Sequence, residues 1–367
     1  MGHKLRALVV DDSAVYRKIL SDLLGEQPEV EVVGTASNGE MAISKAKLLN
    51  PDIITLDLEM PVMDGLEAIP HLKKAKPDTV IIMVSAHTTS GAKTTMKALQ
   101  AGAIDFIAKP DRSSMEASRL EIKQQLRNIL RGIISKFQVQ VALHGRPQKA
   151  DIPAPPTPPP VTAPEDSISQ RMAAITGRTK PEIIAIGIST GGPQALTKVI
   201  PRLPVSITLP VVIVQHMPPV FTKALAESLS KTSSLEVLEA SDGLKLVKGK
   251  VYIAPGGKQM RIDKVDGANT IVINDDPPEN HCKPSVDYLF RSLTQTYKGN
   301  VISVIMTGMG KDGVIGMRLL KRLGAKTIAQ DQQSCTVFGM PMEAIKSGVV
   351  DKVVTLEDIS KTILEMI

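Results

Sequence analysis

The chain has 367 residues, more than one hydrophobic core usually serves, so two domains are expected. Aromatic residues make up only 2% with no Trp, which speaks against a stacking platform for single-stranded nucleic acid, and the net charge of +6 is as consistent with scattered solvated charge as with an acidic partner. Two cysteines, Cys282 and Cys335, with no C-x-x-C spacing, speak against a disulfide framework or a zinc cluster and fit a reducing compartment.

No apolar run reaches the ~18 residues of a membrane span. The opening MGHKLRALVVDDS is too short in its apolar part for a signal peptide. A soluble, cytoplasmic protein without membrane insertion is expected.

From the start, short β-branched runs alternate with amphipathic helical runs. The strands are RALVV, VEVVGTA, DIITLD, VIIMVSA and AIDFIAK. Near-continuous apolar strands alternating with helices indicate a buried parallel sheet. In such sheets the chemistry lies at the carboxyl ends of the strands. Asp11 and Asp12 follow the first strand and Asp57 ends the third, so three carboxylates gather at one end. Their repulsion is relieved by a cation, and hard oxygen donors suit Mg²⁺. Ser85 ends the fourth strand, and Lys109 ends the fifth, just before Pro110. A hydroxyl and an ammonium there could bind phosphoryl oxygens.

This half resembles the receiver domain of two-component response regulators. The resemblance implies a flavodoxin-like, doubly wound sheet in the order 2-1-3-4-5, with Asp57 as phospho-acceptor. It further implies that Asp12 and Asp57 bind Mg²⁺ directly, Glu59 through its backbone carbonyl and Asp11 through water. Ser85, Phe106 and Lys109 would be the switch residues, and the Lys109–Pro110 peptide is often cis in that family.

A helical run, residues 116–137, leads to ADIPAPPTPPPVTAPEDS, residues 150–167. So many prolines favour polyproline II and read as a semi-rigid linker. The expected division is therefore a receiver over 1–125, a helical exit and linker over 126–177, and a catalytic domain over 178–367.

Beyond the linker the strands are EIIAIGI, PVVIVQH, LEVLEAS, NVISVIM and KTIAQ. The stretch KVYIAPGGKQMRIDKVDGANTIVIND breaks the rhythm and suggests an antiparallel hairpin insertion. Gly187-Ile188-Ser189-Thr190-Gly191 fits G-x-S-x-G where a strand meets a helix, so Ser189 is either a nucleophile on an elbow or a small residue in a tight turn. A nucleophilic serine needs a base. His216 ends the next strand, whereas His281 lies in a loop before a helix, where a capping or surface role is expected. Asp312, after VISVIM, is a candidate to orient the base. The order Ser…His…Asp is not that of α/β-hydrolases.

Gly308-Met309-Gly310-Lys311-Asp312-Gly313 also fits the dinucleotide fingerprint G-x-G-x-x-G. Against that reading, Asp312 would repel phosphates at the helix start, and few strands follow to complete such a fold. Cys282 and Cys335 end no strand and read as packing residues rather than nucleophiles.

GISTGGP, VQHMPP, HCKPSVD, TGMGKDG and CTVFGMP, with a receiver and a Pro-rich linker ahead of them, resemble the chemotaxis-specific protein-glutamate methylesterase family. The resemblance implies a Rossmann-like three-layer esterase domain with Ser189, His216 and Asp312 as the triad, no cofactor at that site, and the Met309 backbone N–H in an oxyanion hole. The substrates would be glutamate γ-methyl esters, and some glutamines, on the cytoplasmic helices of chemoreceptors. A chemotaxis histidine kinase would be the phosphodonor, and nucleic acid would not be a partner. In that family the unphosphorylated receiver restricts access to the catalytic cleft. Cys282 stands where the family often has a basic residue, a variation that bears on substrate contacts.

Overall fold

The computed structural model describes residues 4–110, 115–144 and 180–367. The Pro-rich stretch 150–167 lies outside the described residues. The first domain is a five-stranded parallel sheet, β1 Leu5–Val10, β2 Val30–Ala36, β3 Ile53–Asp57, β4 Val80–Ala86 and β5 Asp105–Lys109, in the order β2-β1-β3-β4-β5. That is the order expected. Helices α1 Ala14–Gly25, α2 Gly39–Leu49, α3 Gly65–Ala75 and α4 Thr89–Gln100 connect the strands.

The helix starts follow from the sequence. Ser13, Asn38, Asp64 and Thr88 each accept an N–H of the first turn, and Asp64 with Glu67 forms a capping box. At Gly65 a Cβ would lie 2.1 Å from the Asp57 carbonyl oxygen, so glycine lets α3 start tight against the end of β3. Helix α5 runs unbroken from Met115 to His144, so the expected division at 125 falls inside a helix.

The second domain is a seven-stranded parallel sheet in the order β14-β13-β12-β6-β7-β9-β8. Its strands are β6 Ile183–Ile188, β7 Val211–Gln215, β8 Glu236–Glu239, β9 Lys250–Ile253, β12 Val301–Ile305, β13 Lys326–Gln330 and β14 Lys352–Val354. The antiparallel hairpin exists as β10 Gln259–Val265 with β11 Ala268–Asn274, but KVYI is not part of it. That segment is β9, a parallel strand between β7 and β8, because its Val251, Tyr252 and Ile253 are buried on both faces like any central strand. The helices are α6 Gly192–Val199, α7 Phe221–Thr232, α8 Val286–Thr296, α9 Val314–Arg322, α10 Met340–Lys346 and α11 Ile359–Met366. Among the described residues the cis peptide is Lys283–Pro284, and Lys109–Pro110 does not share that form. No helix among the described residues is long and apolar enough to cross a membrane.

The two domains share a core. One continuous apolar cluster takes in Ala92, Met96 and Phe106 of the receiver half and Phe221, Leu225 and Ile188 of the other. The Phe106 ring stacks on that of Phe221 at 4.3 Å. Around this contact, His87 Nε2 lies 2.9 Å from the Pro219 carbonyl, and Gln100 Nε2 donates to Ser228 Oγ at 2.9 Å.

Candidate active site

At the carboxyl end of the first sheet, Asp11, Asp12 and Asp57 place carboxylate oxygens within 4.8 Å of one another. Lys109 Nζ reaches Asp57 Oδ2 at 2.8 Å and Asp11 Oδ2 at 3.0 Å. Burial and the adjacent Asp11 raise the Asp57 carboxyl to about 6, despite Lys109. Asp11 is also raised, chiefly by burial, and its Oδ2 is enclosed with no hydrogen bond beyond the Lys109 ion pair. An enclosed carboxylate oxygen with spare acceptor capacity among hard oxygen donors fits a small divalent cation such as Mg²⁺.

Glu59 lies two residues past Asp57 with its side chain exposed. Ser85 is buried, with Oγ 2.8 Å from Thr95 Oγ1. Phe106 points away from the carboxylates, into the interface with the second domain.

In the second domain, β6 and β7 pair so that Ile188 faces Gln215. The next residues, Ser189 and His216, therefore leave neighbouring strand ends side by side, and His216 N–H donates to the Ile188 carbonyl at 3.1 Å. The elbow is built by small residues. Gly191 has φ 74°, and at Gly308 a Cβ would stand 2.6 Å from Ser189 Cβ. Gln215 Nε2 holds the Ser189 carbonyl at 2.9 Å, and Gly192 leaves room for the same side chain.

Asp312 is 2% exposed and accepts from six groups. His216 Nε2 lies 2.8 Å from its Oδ2, which also accepts from Val286 N–H at 2.7 Å. Its Oδ1 accepts from Ser285 Oγ at 2.8 Å, Asp287 N–H and Asn280 Nδ2 at 3.0 Å, and Gly313 N–H at 3.1 Å. Two of these donors open α8, so the carboxylate sits on the positive end of a helix. Burial would raise this carboxyl, but His216 and those N–H groups outweigh it and bring it down to about 2. Burial likewise disfavours charge on His216, yet the Cys282 sulfur and Asp312 outweigh it and raise the imidazolium.

Because Asp312 takes Nε2, the other nitrogen of His216 is Nδ1, the reverse of the ring orientation in serine proteases. It is hydrogen-bonded to Cys282 Sγ at 3.6 Å, and no hydrogen bond joins it to Ser189 Oγ among the described residues. Cys282 is half-exposed beside the base, not the packing residue expected, while Cys335 is buried. His281 is exposed, as its loop position suggests.

Ser189 N–H donates to the Thr307 carbonyl at 3.0 Å. Among the described residues the Thr190 and Met309 N–H groups have no backbone acceptor. Met309 also lines a cavity of about 1150 Å³ between α5 and the second domain, with Arg131, Ser135, Gln333, Thr336 and Met342.

Sequence reasoning missed three residues here. Asn280 precedes the HCKPSVD stretch and Ser285 lies within it, but both look like ordinary turn and capping residues. Asp105, in the receiver, accepts from the Phe106 N–H at 2.9 Å and lies near the Gly191 N–H and the Thr190 hydroxyl, and burial raises its carboxyl to about 7 against these neighbours. Nothing in one sequence links a residue on β5 to an elbow more than eighty positions later.

Residues 184–363 match the CheB methylesterase family, and residues 7–118 match the response regulator receiver domain. A protein-glutamate methylesterase/protein-glutamine glutaminase of Desulfotalea psychrophila is 46% identical over 99% of this chain and 98% of its own. The protein of the same name from Bacillus subtilis is 44% identical over 98% of this chain and 97% of its own. The CheB methylesterase catalytic domain of Thermotoga maritima superposes with a TM-score of 0.50 at 41% identity, over 51% of this chain and 100% of that one.

Proposed function

The chain belongs to the CheB methylesterase family, and from that membership we infer that it is a protein-glutamate methylesterase and protein-glutamine glutaminase under the control of its own receiver. It acts in the cytoplasm on methyl-accepting chemoreceptors, with a chemotaxis histidine kinase as phosphodonor. The receiver occupies about 1–125, a helical exit and linker 126–177, and the catalytic domain 178–367.

The observation that carries the chemistry is His216 held at 2.8 Å by a carboxylate at a helix N-terminus, on the strand end beside Ser189. Ser189 Oγ attacks the γ-ester carbonyl of a receptor glutamate and its proton passes to His216 Nδ1. Asp312 keeps the other proton on Nε2 and stabilises the imidazolium. The oxyanion is met by the Met309 N–H and by the Thr190 N–H, neither of which has a backbone acceptor among the described residues. As the tetrahedral intermediate collapses, the proton on Nδ1 goes to the departing methoxide and methanol leaves. Water, deprotonated at Nδ1, then attacks the acyl-enzyme, and the proton returns to Ser189 Oγ. With a glutamine the leaving group is ammonia. The donor set at this site calls for no cofactor.

In the receiver, Asp57 accepts the phosphoryl group. Asp12 and Asp57 would hold Mg²⁺ directly, with the Glu59 carbonyl, and Asp11 through water. When bound, the ion supplies charge neutralisation for the phosphoryl oxygens. Ser85 and Lys109 then turn toward the new oxygens, and Phe106 shifts.

Three receiver contacts support gating. Phe106 stacks on Phe221, His87 holds the Pro219 carbonyl, and Asp105 lies near the Thr190 hydroxyl and the Gly191 N–H. All three lie against the segments that directly follow Ser189 and His216. Phosphorylation would loosen them and shift a closed population toward an open one.

The test is methanol release from methylated receptor. Ser189→Ala should remove activity while far-ultraviolet circular dichroism and Tm stay unchanged. More than a few per cent of wild-type turnover would refute Ser189 as the nucleophile.

A further inference from the structure

We propose that Cys282 and His216 form a binding site for a thiophilic divalent cation, with zinc as the reference ion, and that filling it silences the esterase.

The distance between the donors carries this. Zinc holds a thiolate sulfur at about 2.3 Å and an imidazole nitrogen at about 2.0–2.1 Å, so two such donors on one tetrahedral ion stand about 3.5 Å apart. Cys282 Sγ and His216 Nδ1 are 3.6 Å apart and share a hydrogen bond, whose proton a metal would replace. Little movement is needed to bring both onto one ion.

The lone pair is already directed. Asp312 takes the Nε2 proton at 2.8 Å, which leaves Nδ1 as the acceptor in the neutral ring. A carboxylate behind a histidine is the usual outer support of a zinc-binding imidazole. Asp312 therefore acts as that support and not as a third ligand, since both its oxygens are filled by N–H and O–H donors.

The thiol is held in place. Glu279 and Cys282 exchange backbone hydrogen bonds of 3.1 and 2.7 Å, which close the loop around Asn280 and His281. The second contact of Sγ is the Asn280 carbonyl at 3.5 Å, on the solvent-accessible side. Water or a substrate oxygen completes the tetrahedron. On binding, the Sγ–H proton leaves to solvent as the sulfur–metal bond forms, and no redox change occurs.

The inhibitory half of the proposal rests on His216 Nδ1 being the base that serves Ser189, because the metal occupies the same lone pair. The experiment separates the two parts. Full-length protein is kept in excess Mg²⁺, which fills the oxygen-lined receiver cup. Co²⁺ is then added and the near-ultraviolet thiolate-to-cobalt charge-transfer band is followed. In parallel, Zn²⁺ is titrated into a methanol-release assay, each variant being normalised to its own metal-free rate.

Wild type and Cys335→Ser should show the band and lose activity, and a chelator should restore it. In Cys282→Ser the band should vanish and the inhibiting zinc concentration should rise at least about tenfold, since even an outer partner of a zinc ligand is worth about 10–100-fold in affinity. An unchanged band or unchanged zinc sensitivity in Cys282→Ser would overturn the site. A band that depends on Cys282, with esterase activity unaffected, would uphold the site and overturn the base assignment of His216.

Discussion

Asp57 and Asp312 are the same residue type, both nearly enclosed, both at the carboxyl end of a parallel sheet, and they are driven in opposite directions. Asp57 is raised to about 6, and Asp312 is lowered to about 2. Burial pushes both upward. What separates them is the company. Asp57 faces two other carboxylates and one ammonium, whereas Asp312 meets six donors, two of them at the start of a helix. The carboxylate proposed to take up a dianionic group is crowded with charge, in an arrangement that fits a cation. The one proposed to stay ionised beside an imidazolium is saturated with donors.

The sharpest way to break this contrast is Asp312→Asn. The amide cannot stabilise the imidazolium and can present its NH₂ to Nε2, which sets the ring in the wrong tautomer. In a serine protease the same change costs about 10⁴ in kcat. We expect a loss of about 10³–10⁴ in methanol release, and a loss of under tenfold would contradict the role given to Asp312.

Asp57→Asn tests the other side. This group binds its proton more tightly folded than unfolded, so its contribution to stability is greatest below about pH 4 and falls as pH rises to about 6. The asparagine variant should therefore be more stable at pH 7.5 without Mg²⁺, by on the order of 1–2 kcal/mol, since loss of the Lys109 ion pair offsets part of the gain. The advantage should disappear near pH 4. Urea unfolding of the receiver transition at both pH values reads it out. The same variant should keep basal esterase activity and lose all stimulation by a small phosphodonor with Mg²⁺. Asp312 has the opposite sign: its stabilisation is present above about pH 4 and is lost as pH falls toward 2.

The smallest expected effect lies between the two sites. Asp105→Ala removes the receiver carboxylate from the Thr190 hydroxyl and the Gly191 N–H. Unphosphorylated turnover on receptor should rise a few-fold, with a smaller rise on a small ester that diffuses into the cleft. Equal rises on both substrates would mean that the contact distorts the elbow itself and does not restrict access.

Much of this was legible in the chain. Alternating apolar runs disclosed both parallel sheets, and the placement of Asp11, Asp12, Asp57, Ser189 and His216 at strand ends, with Asp312 in the loop after another strand, followed from local pattern alone. KVYI was misread because a four-residue strand beside glycine-rich turns looks like one arm of a hairpin, and only its neighbours in the sheet make it central. The chemistry of Cys282 was hidden for a related reason. A thiol in a loop has no period and no strand end, and its meaning comes from a histidine sixty-six positions earlier. Asn280, Ser285 and Asp105 were out of reach on the same ground, since each acts on a partner brought near only by the folded chain.

The apolar cluster that runs from Phe106 into Phe221 sets a limit on how far regulation can reach. If the proposed gating holds, the free energy that keeps that seam shut is also the largest activation that phosphorylation can release, at about 1.4 kcal/mol for each factor of ten. A seam with larger side chains would give a quieter resting enzyme that answers only to a stronger signal. A seam with smaller ones would leak constantly and respond little. The dynamic range of the adaptation signal is thus written in the volume of a few aromatic and aliphatic side chains remote from both carboxylates, and it could be retuned without touching either chemistry.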